Sequence, residues 1–232
     1  MKPDEYEPVA RRIASTLGID QFDDSTFEPE RLMYWPSTSK DGVFETNYQD
    51  GALLNVDEIL ATYHDYHDTS EWPVSNRQET TIRRDIKKLG DPTEKKGLVG
   101  AFCRTYDIYK AIATFLPNVY DASRDDKRFT YHNGSTANGL IVYEDGKFAY
   151  SHHGTDPAGR RTLNAFDLVR IHLYGDRDDN VQPTTNITKY PSYLAMEDLC
   201  SADKEVRRTI AEEKLKDAGE DFADIITEEN KE

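Results

Sequence analysis

The run Ser151-His-His-Gly-Thr-Asp-Pro157, followed by Asn164-Ala-Phe-Asp-Leu-Val-Arg-Ile-His172, brings imidazoles and carboxylates together within a short stretch. Neutral imidazole and carboxylate are ligands for zinc or manganese. A metal held by His152, His153 and Asp156 would lower the pKa of a bound water, which is the chemistry of a metal-dependent nuclease or phosphodiesterase. The same residues also have a structural reading. His152 and His153 would then end a strand and bond the loop. Asp156 would set the turn before Pro157, and Asp167 would sit at a helix N-terminus, where negative charge is favoured. Asn164 and Arg170 complete the cluster without an assigned role. No further ligand lies at a recognised spacing, so no metal and no cofactor is assigned.

Other candidate groups are thinner. His64 and His67 stand three residues apart, on one face if the segment is helical. Asp23-Asp24 and the Asp176/Asp178 pair lie in polar stretches and read as solvated. The chain contains no GxxxxGK[ST] loop for nucleotide phosphates and no GxSxG nucleophile elbow. No acid pair sits in an apolar strand, as a two-metal polymerase site requires. The only cysteines are Cys103 and Cys200, which excludes a four-cysteine zinc site and a disulfide framework.

A second class of chemistry is contact with nucleic acid. The chain carries a formal net charge of −15 and a pI near 4.8, so a broad basic surface is excluded. Affinity for phosphate comes from Lys and Arg releasing counterions, and here such contact must be local. Residues 77 to 96 contain seven Lys or Arg against four acids. Arg83, Arg84, Lys87 and Lys88 in that stretch are the candidates for following a phosphate backbone, with a solvated helix face as the alternative. Arg31 and Tyr34 are candidates for pairing with and stacking on single-stranded DNA. Trp35 beside them reads as a core residue of a sheet.

These groups need elements to hold them. Tyr6, Val9, Ala10, Ile13, Ala14 and Leu17 recur at helical spacing, predicting a helix over residues 3–17 closed by Gly18. Arg31 to Trp35, stopped by Pro36, and Val43 to Tyr48 read as strands. Asn55 with Glu58 predicts the start of a short helix through Tyr63. A linker or exposed helix covers 77–96, with a domain boundary near residue 92. Two helical segments follow, Gly97 to Tyr106 and Asp107 to Leu116, with Asp107 as N-cap. Strands are expected at 128–132, 139–143 and 147–151, the last two joined by the Glu144-Asp145-Gly146 turn. A helix follows from about Leu163 to Tyr174, then a polar loop over 176–190, then helices from Ser192 and Ala202. From Asp217 the chain carries seven acids against one Lys and is expected to fray. No apolar run is long enough to cross a membrane. The expected fold is α+β in three stretches. Residues 1–92 form part of a sheet with helices, and 93–200 hold a helix pair, a small antiparallel sheet and further helices. Residues 201–232 form a helix and acidic tail.

Glu30-Arg-Leu-Met-Tyr-Trp-Pro-Ser37 resembles the segment near the end of the archaeo-eukaryotic-type primase domain of phage and mobile-element replication proteins. Gly97-Leu-Val-Gly-Ala-Phe-Cys-Arg-Thr-Tyr106 resembles the helical region after it. The SHHGTDP and NAFDLVRIH segments are similar to the region ahead of the helicase in virulence-associated E proteins. Together these cover nearly residues 4 to 200. In that family the catalytic acids and histidine lie upstream of this stretch, and the superfamily 3 helicase lies downstream. The resemblance therefore implies a primase-like partial sheet in the first stretch and a place in DNA replication. It transfers no catalytic residue to a position here. The hairpin and following helix also look like the zinc ribbon of bacterial-type primases without its cysteines, which implies template contact without zinc. The expected function is an accessory replication module in the cytoplasm of a bacterial host. It would bind single-stranded DNA or a phage primase or helicase subunit, without a catalytic centre of its own. An acidic protein that inhibits a replication complex is the remaining alternative.

Overall fold

The computed structural model describes residues 1–32, 34–182 and 184–229. The chain divides into two compact units, Met1–Thr81 and Ile82–Glu232.

The first unit is built on helix α1, Pro3–Leu17, whose N-terminal proline suits a position where no hydrogen bond is lost. Gly18 ends it at φ 99°, a left-handed conformation that a side chain resists. Short 3-10 turns at Ile19–Gln21 and Asp24–Phe27 follow, then helix α2, Val56–Leu60, and a 3-10 turn at Thr69–Glu71. Asn55 caps α2 as its spacing predicts, accepting from the N–H groups of Asp57 and Glu58. Helix α3 spans Asn76–Leu89, and the division between units falls inside it. Ser75 receives the Gln78 N–H at 3.1 Å, and Asp20 receives the Asn76 N–H at 2.8 Å, so polar side chains satisfy its first turn.

The core of this unit is small: Val9, Ala14, Phe27, Leu60, Tyr63 and Trp72. Arg11 is buried among them. Its guanidinium pairs with Glu7 at 2.9 Å, donates to the Pro73 carbonyl at 3.2 Å and lies over the Phe27 ring. The Tyr63 hydroxyl donates to the Pro8 carbonyl at 2.7 Å, tying α1 to the segment after α2.

Among the described residues the first stretch forms no sheet, contrary to expectation. The described residues of Arg31–Trp35 carry no strand, with residue 33 of that run outside the described set, and Val43–Tyr48 carries none. Only the turn between them forms, with the Gly42 N–H donating to the Ser39 carbonyl. Two strands with a turn are marginal in water unless a third strand or a helix covers a face, and this unit supplies no further strand among its described residues. Trp35, read from sequence as core, is 92 % exposed, and Trp72 takes the buried position instead.

The second unit holds the rest of α3, helix α4 (Gly97–Thr105) and helix α5 (Ile108–Phe115). Asp107 caps α5 by accepting from the Lys110 N–H. A five-stranded antiparallel meander follows: β1 Tyr120–Ala122, β2 Arg128–Tyr131, β3 Leu140–Tyr143, β4 Phe148–Ser151 and β5 Thr162–Leu163. Helix α6 (Ala165–Tyr174), α7 (Pro191–Ala202) and α8 (Lys204–Glu229) complete it. The chain is thus α+β, with eight α-helices and one sheet among the described residues. Strands β2 to β4 and their Glu144–Gly146 turn lie where the alternation predicts, whereas β1 and β5 were not expected. The residues from Asp217 continue α8 to Glu229, and 230–232 of the tail lie outside the described set.

Alternation of side chains across the pleat gives the sheet two faces. Phe129, Leu140, Val142 and Ala149 face inward and share one buried cluster with Phe102, Ile108, Phe166, Val169, Met196 and Val206. The outer face is partly covered by α3. Ile82 and Ile86 sit on Phe148, with Tyr143 and Tyr150 packed alongside. Lys147 pairs with Asp91 at 2.5 Å, fixing the segment after α3 to the hairpin, and this contact, with the Thr93 groups, holds the Asp91 carboxyl down to about 2.

Candidate functional site

The cluster singled out by sequence lies where β4 leaves the sheet. Ser151 faces inward and His152 outward. His153 then turns back beneath the sheet and is 1 % exposed. Its Nε2 accepts from the Tyr131 N–H at 3.0 Å and the Gly139 N–H at 3.2 Å, which leaves the proton on Nδ1 to donate to Thr136 Oγ1 at 2.7 Å. This approach requires glycine at 139: a Cβ there would lie 2.7 Å from the imidazole. Burial pushes the His153 pKa below its ordinary value of 6.5, so the ring is held neutral.

Asp156 is 5 % exposed and collects donors from three elements. Oδ2 accepts from the Tyr120 hydroxyl at 2.7 Å and Ser151 Oγ at 2.6 Å, and Oδ1 accepts from the Ala158 N–H at 2.8 Å. His172 Nε2, from the last turn of α6, lies 3.2 Å from Oδ1 and 2.8 Å from the Tyr120 hydroxyl. Because the Tyr120 proton goes to Asp156, His172 is the donor in its contact with Tyr120. Burial alone would raise the Asp156 pKa, but donation from His172, Ser151, Tyr120 and Ala158 outweighs it and holds the carboxyl below its ordinary range. Burial and the adjacent carboxylate push the Tyr120 hydroxyl above its ordinary range, so it remains protonated.

The polar groups of this cluster pair with one another and with the backbone. Ser151 donates to the Asp156 carboxylate rather than to an imidazole. The Cys103 and Cys200 thiols are buried and pushed up to about 11 and about 12, far from thiolate formation. His152, His153 and Asp156 do not converge. His153 spends its lone pair on two backbone N–H groups, Asp156 spends both oxygens on donors, and His152 lies on the other face with its ring 4.8 Å from that of Tyr150. Among the described residues no group of three or more His, Cys, Asp or Glu side chains is placed to hold a metal ion.

Asn164, Asp167 and Arg170 form a second structural relay. Asn164 caps α6 by accepting from the Asp167 N–H at 2.9 Å. Asp167 pairs with Arg170 at 3.1 Å, and Arg170, 8 % exposed, donates to Ser192 Oγ at 2.7 Å. Asp178, expected to be solvated, instead accepts from the Ser192 N–H and hydroxyl and so joins α6 to α7. His64 and His67 lie in a turn rather than on a helix face: His64 is exposed and His67 stacks on Tyr66.

The groups proposed to meet DNA lie at the surface. Ile82 and Ile86 of α3 point to the sheet, while Arg83, Arg84, Lys87 and Lys88 are all exposed. At 100° per residue those four cations fall within an arc of roughly 140° opposite the two isoleucines. Arg31 and Tyr34 are exposed in the first unit, Tyr34 at 97 %. That unit also has an apolar cleft of about 500 Å³ along α1, lined by Tyr6, Val9, Ala10, Ile13, Phe22 and Leu54 among others. Sequence reasoning missed Tyr120 and Thr136 as members of the buried network and gave His172, the last residue of the quoted run, no role. Tyr120 reaches Asp156 from β1, Thr136 reaches His153 from the β2–β3 connection, and His172 reaches Asp156 from α6.

Comparison with curated proteins and with solved structures returned no match. A scan against family models shows that residues 1–75 are similar to the VapE N-terminal domain, a span that includes the Glu30–Ser37 segment and ends ahead of the 97–106 and 151–172 segments.

Proposed function

We propose that this chain is an accessory module of a phage or mobile-element replication system, and that it binds single-stranded template DNA through the exposed side of α3. The match of residues 1–75 to the VapE N-terminal domain supports the VapE-type context. The observation that carries the DNA reading is the placement of Arg83, Arg84, Lys87 and Lys88 on one exposed side of a helix whose other side is anchored by Ile82 and Ile86. In a chain of net charge −15, such a cluster is a local track for phosphates. Arg31 and Tyr34 supply a further cation and a ring in the first unit. The satisfied network around Asp156 supports a structural role for the second unit's sheet. Catalysis would come from separate primase or helicase chains with which this module docks.

Fluorescence anisotropy of a labelled single strand across a salt series tests the proposal. With four phosphates neutralised, log affinity falls against log salt with a slope of about −3. Changing Arg83, Arg84, Lys87 and Lys88 together to Ala should make the slope shallower by about that amount. Absence of binding by the unmodified chain at low salt would sink the reading.

A further inference from the structure

The apolar cleft along α1 lies beside a stretch of chain that leaves it and returns to it. Phe27 and Leu54 both line the cleft, and between them the described residues of 28–53 form no helix or strand. A turn at mid-length folds this strap into two arms, with the Gly42 N–H donating to the Ser39 carbonyl at 2.9 Å. A Cβ on Gly42 would collide with Thr38 Oγ1, so the turn needs its glycine. The arms carry large apolar side chains into solvent: Leu32, Trp35, Val43, Tyr48 and Leu53 are each more than 80 % exposed. The cleft beside them, about 500 Å³, is walled by buried Val9, Ala14 and Phe27 and half-buried Tyr6, Ile13 and Phe22, and no charged side chain lines it.

Exposed apolar surface of this kind marks an interaction site. A two-fold interface uses the same surface twice, so a projection and the cleft that receives it must lie side by side on one molecule. The tethering at Phe27 and Leu54 meets that condition. The area also suffices. Two aromatic side chains, Trp35 and Tyr48, offer about 300–500 Å² per strap, or roughly 600–1,000 Å² for two straps, and the cleft walls they cover contribute a comparable area. The total reaches the roughly 1,200–2,000 Å² of a specific, stable interface. Within one chain the strap holds these side chains in water and leaves the cleft open, so the complementary surface comes from another molecule.

We propose that two copies of this chain pair by reciprocal exchange, with Trp35 and Tyr48 of each strap seated in the α1 cleft of the other. The pairing uses neither α3 nor Tyr34 and does not rest on the single-strand reading.

Sedimentation equilibrium of the full chain should show the mass rising from monomer to dimer between about 0.1 and about 100 μM. Over the same range Trp35 emission should move to shorter wavelength, against the constant background of buried Trp72, and chymotrypsin should cut at Tyr48 more slowly. Trp35→Ser with Tyr48→Ser alters only exposed side chains and should weaken pairing at least roughly thirtyfold. Ala10→Glu, which keeps a good helix former in α1 but puts a charge in the cleft, should do the same. An equimolar mixture of the two variants should pair again, more weakly than the unmodified chain, through the one intact strap and the one intact cleft. Undiminished pairing of Ala10→Glu alone would overturn the proposal by showing that straps meet straps. A monomer at every concentration would also overturn it. So would short-wavelength Trp35 emission that does not depend on concentration, which would place the strap in its own cleft.

Discussion

His153 and Asp156 differ in how they keep a buried polar group satisfied. His153 is neutral and spends both nitrogens, whereas Asp156 is charged and is stabilised only because four donors point at it. Both have a folded-state pKa below the ordinary value, and both therefore favour the folded chain at neutral pH. When pH falls below about 6.5 the unfolded His153 takes up a proton that the folded ring resists, so stability drops. A further loss follows below the ordinary carboxylate range, as pH falls through the lowered Asp156 value. Urea unfolding measured at stepped pH should show both losses. In His153→Gln, which can accept the same backbone N–H groups, the first should vanish and the second remain. An unchanged profile in that variant would remove His153 as the source.

At the scale of elements, α3 depends on two isoleucines for its seat on the sheet. Ile86 is 7 % exposed and lies in a cluster with Ile82 and Phe148. Ile86→Ala should destabilise the second unit by about 2–4 kcal/mol, since the removed methylenes leave a cavity that the rigid sheet cannot close. Denaturant unfolding checks this, and a change below about 1 kcal/mol would show that α3 holds its place by other contacts. The elements legible from sequence share a strong local signal. α1 has an apolar stripe and a closing glycine, α5 has Asp107 as cap, and β3 and β4 have a tight turn between alternating residues. β1 and β5 have three and two residues and no alternation long enough to detect. The runs at 31–35 and 43–48 have strand composition but no partner strand, and strand pairing, unlike helix capping, is not a local property.

On the scale of the whole molecule, the two units differ in how much of the chain they cover. The second has a continuous core that joins sheet and helices, while the first leaves Leu32, Tyr34, Trp35, Val43, Tyr48 and Leu53 more than 80 % exposed. Limited digestion with chymotrypsin should therefore cut first at Tyr34, Phe44 or Tyr48. Tyr63, Tyr106 and Tyr120, all buried, should survive longer. Mass analysis of the first fragments checks this, and early cleavage at Tyr106 or Tyr120 would contradict the packing described here. No helix among the described residues is long and apolar enough to cross a membrane.

The sequence by itself determined the helices, the central hairpin, the acidic balance and the local basic stretch, because caps, turns and periodicity act over a few residues. It also marked His153, Asp156, Asn164, Asp167 and Arg170 as a group worth attention. Only the tertiary structure decided what they do. Tyr120 comes to Asp156 from β1 and His172 from the end of α6, and His153 meets Tyr131 and Gly139 across strands β2 and β3. Those meetings engage both ring nitrogens of His153 and both carboxylate oxygens of Asp156, while His152 lies on the other face of the sheet. The same strand order lays Arg128, Ile141, Tyr150 and Thr162 in one cross-strand row, a proximity that no spacing along the chain displays.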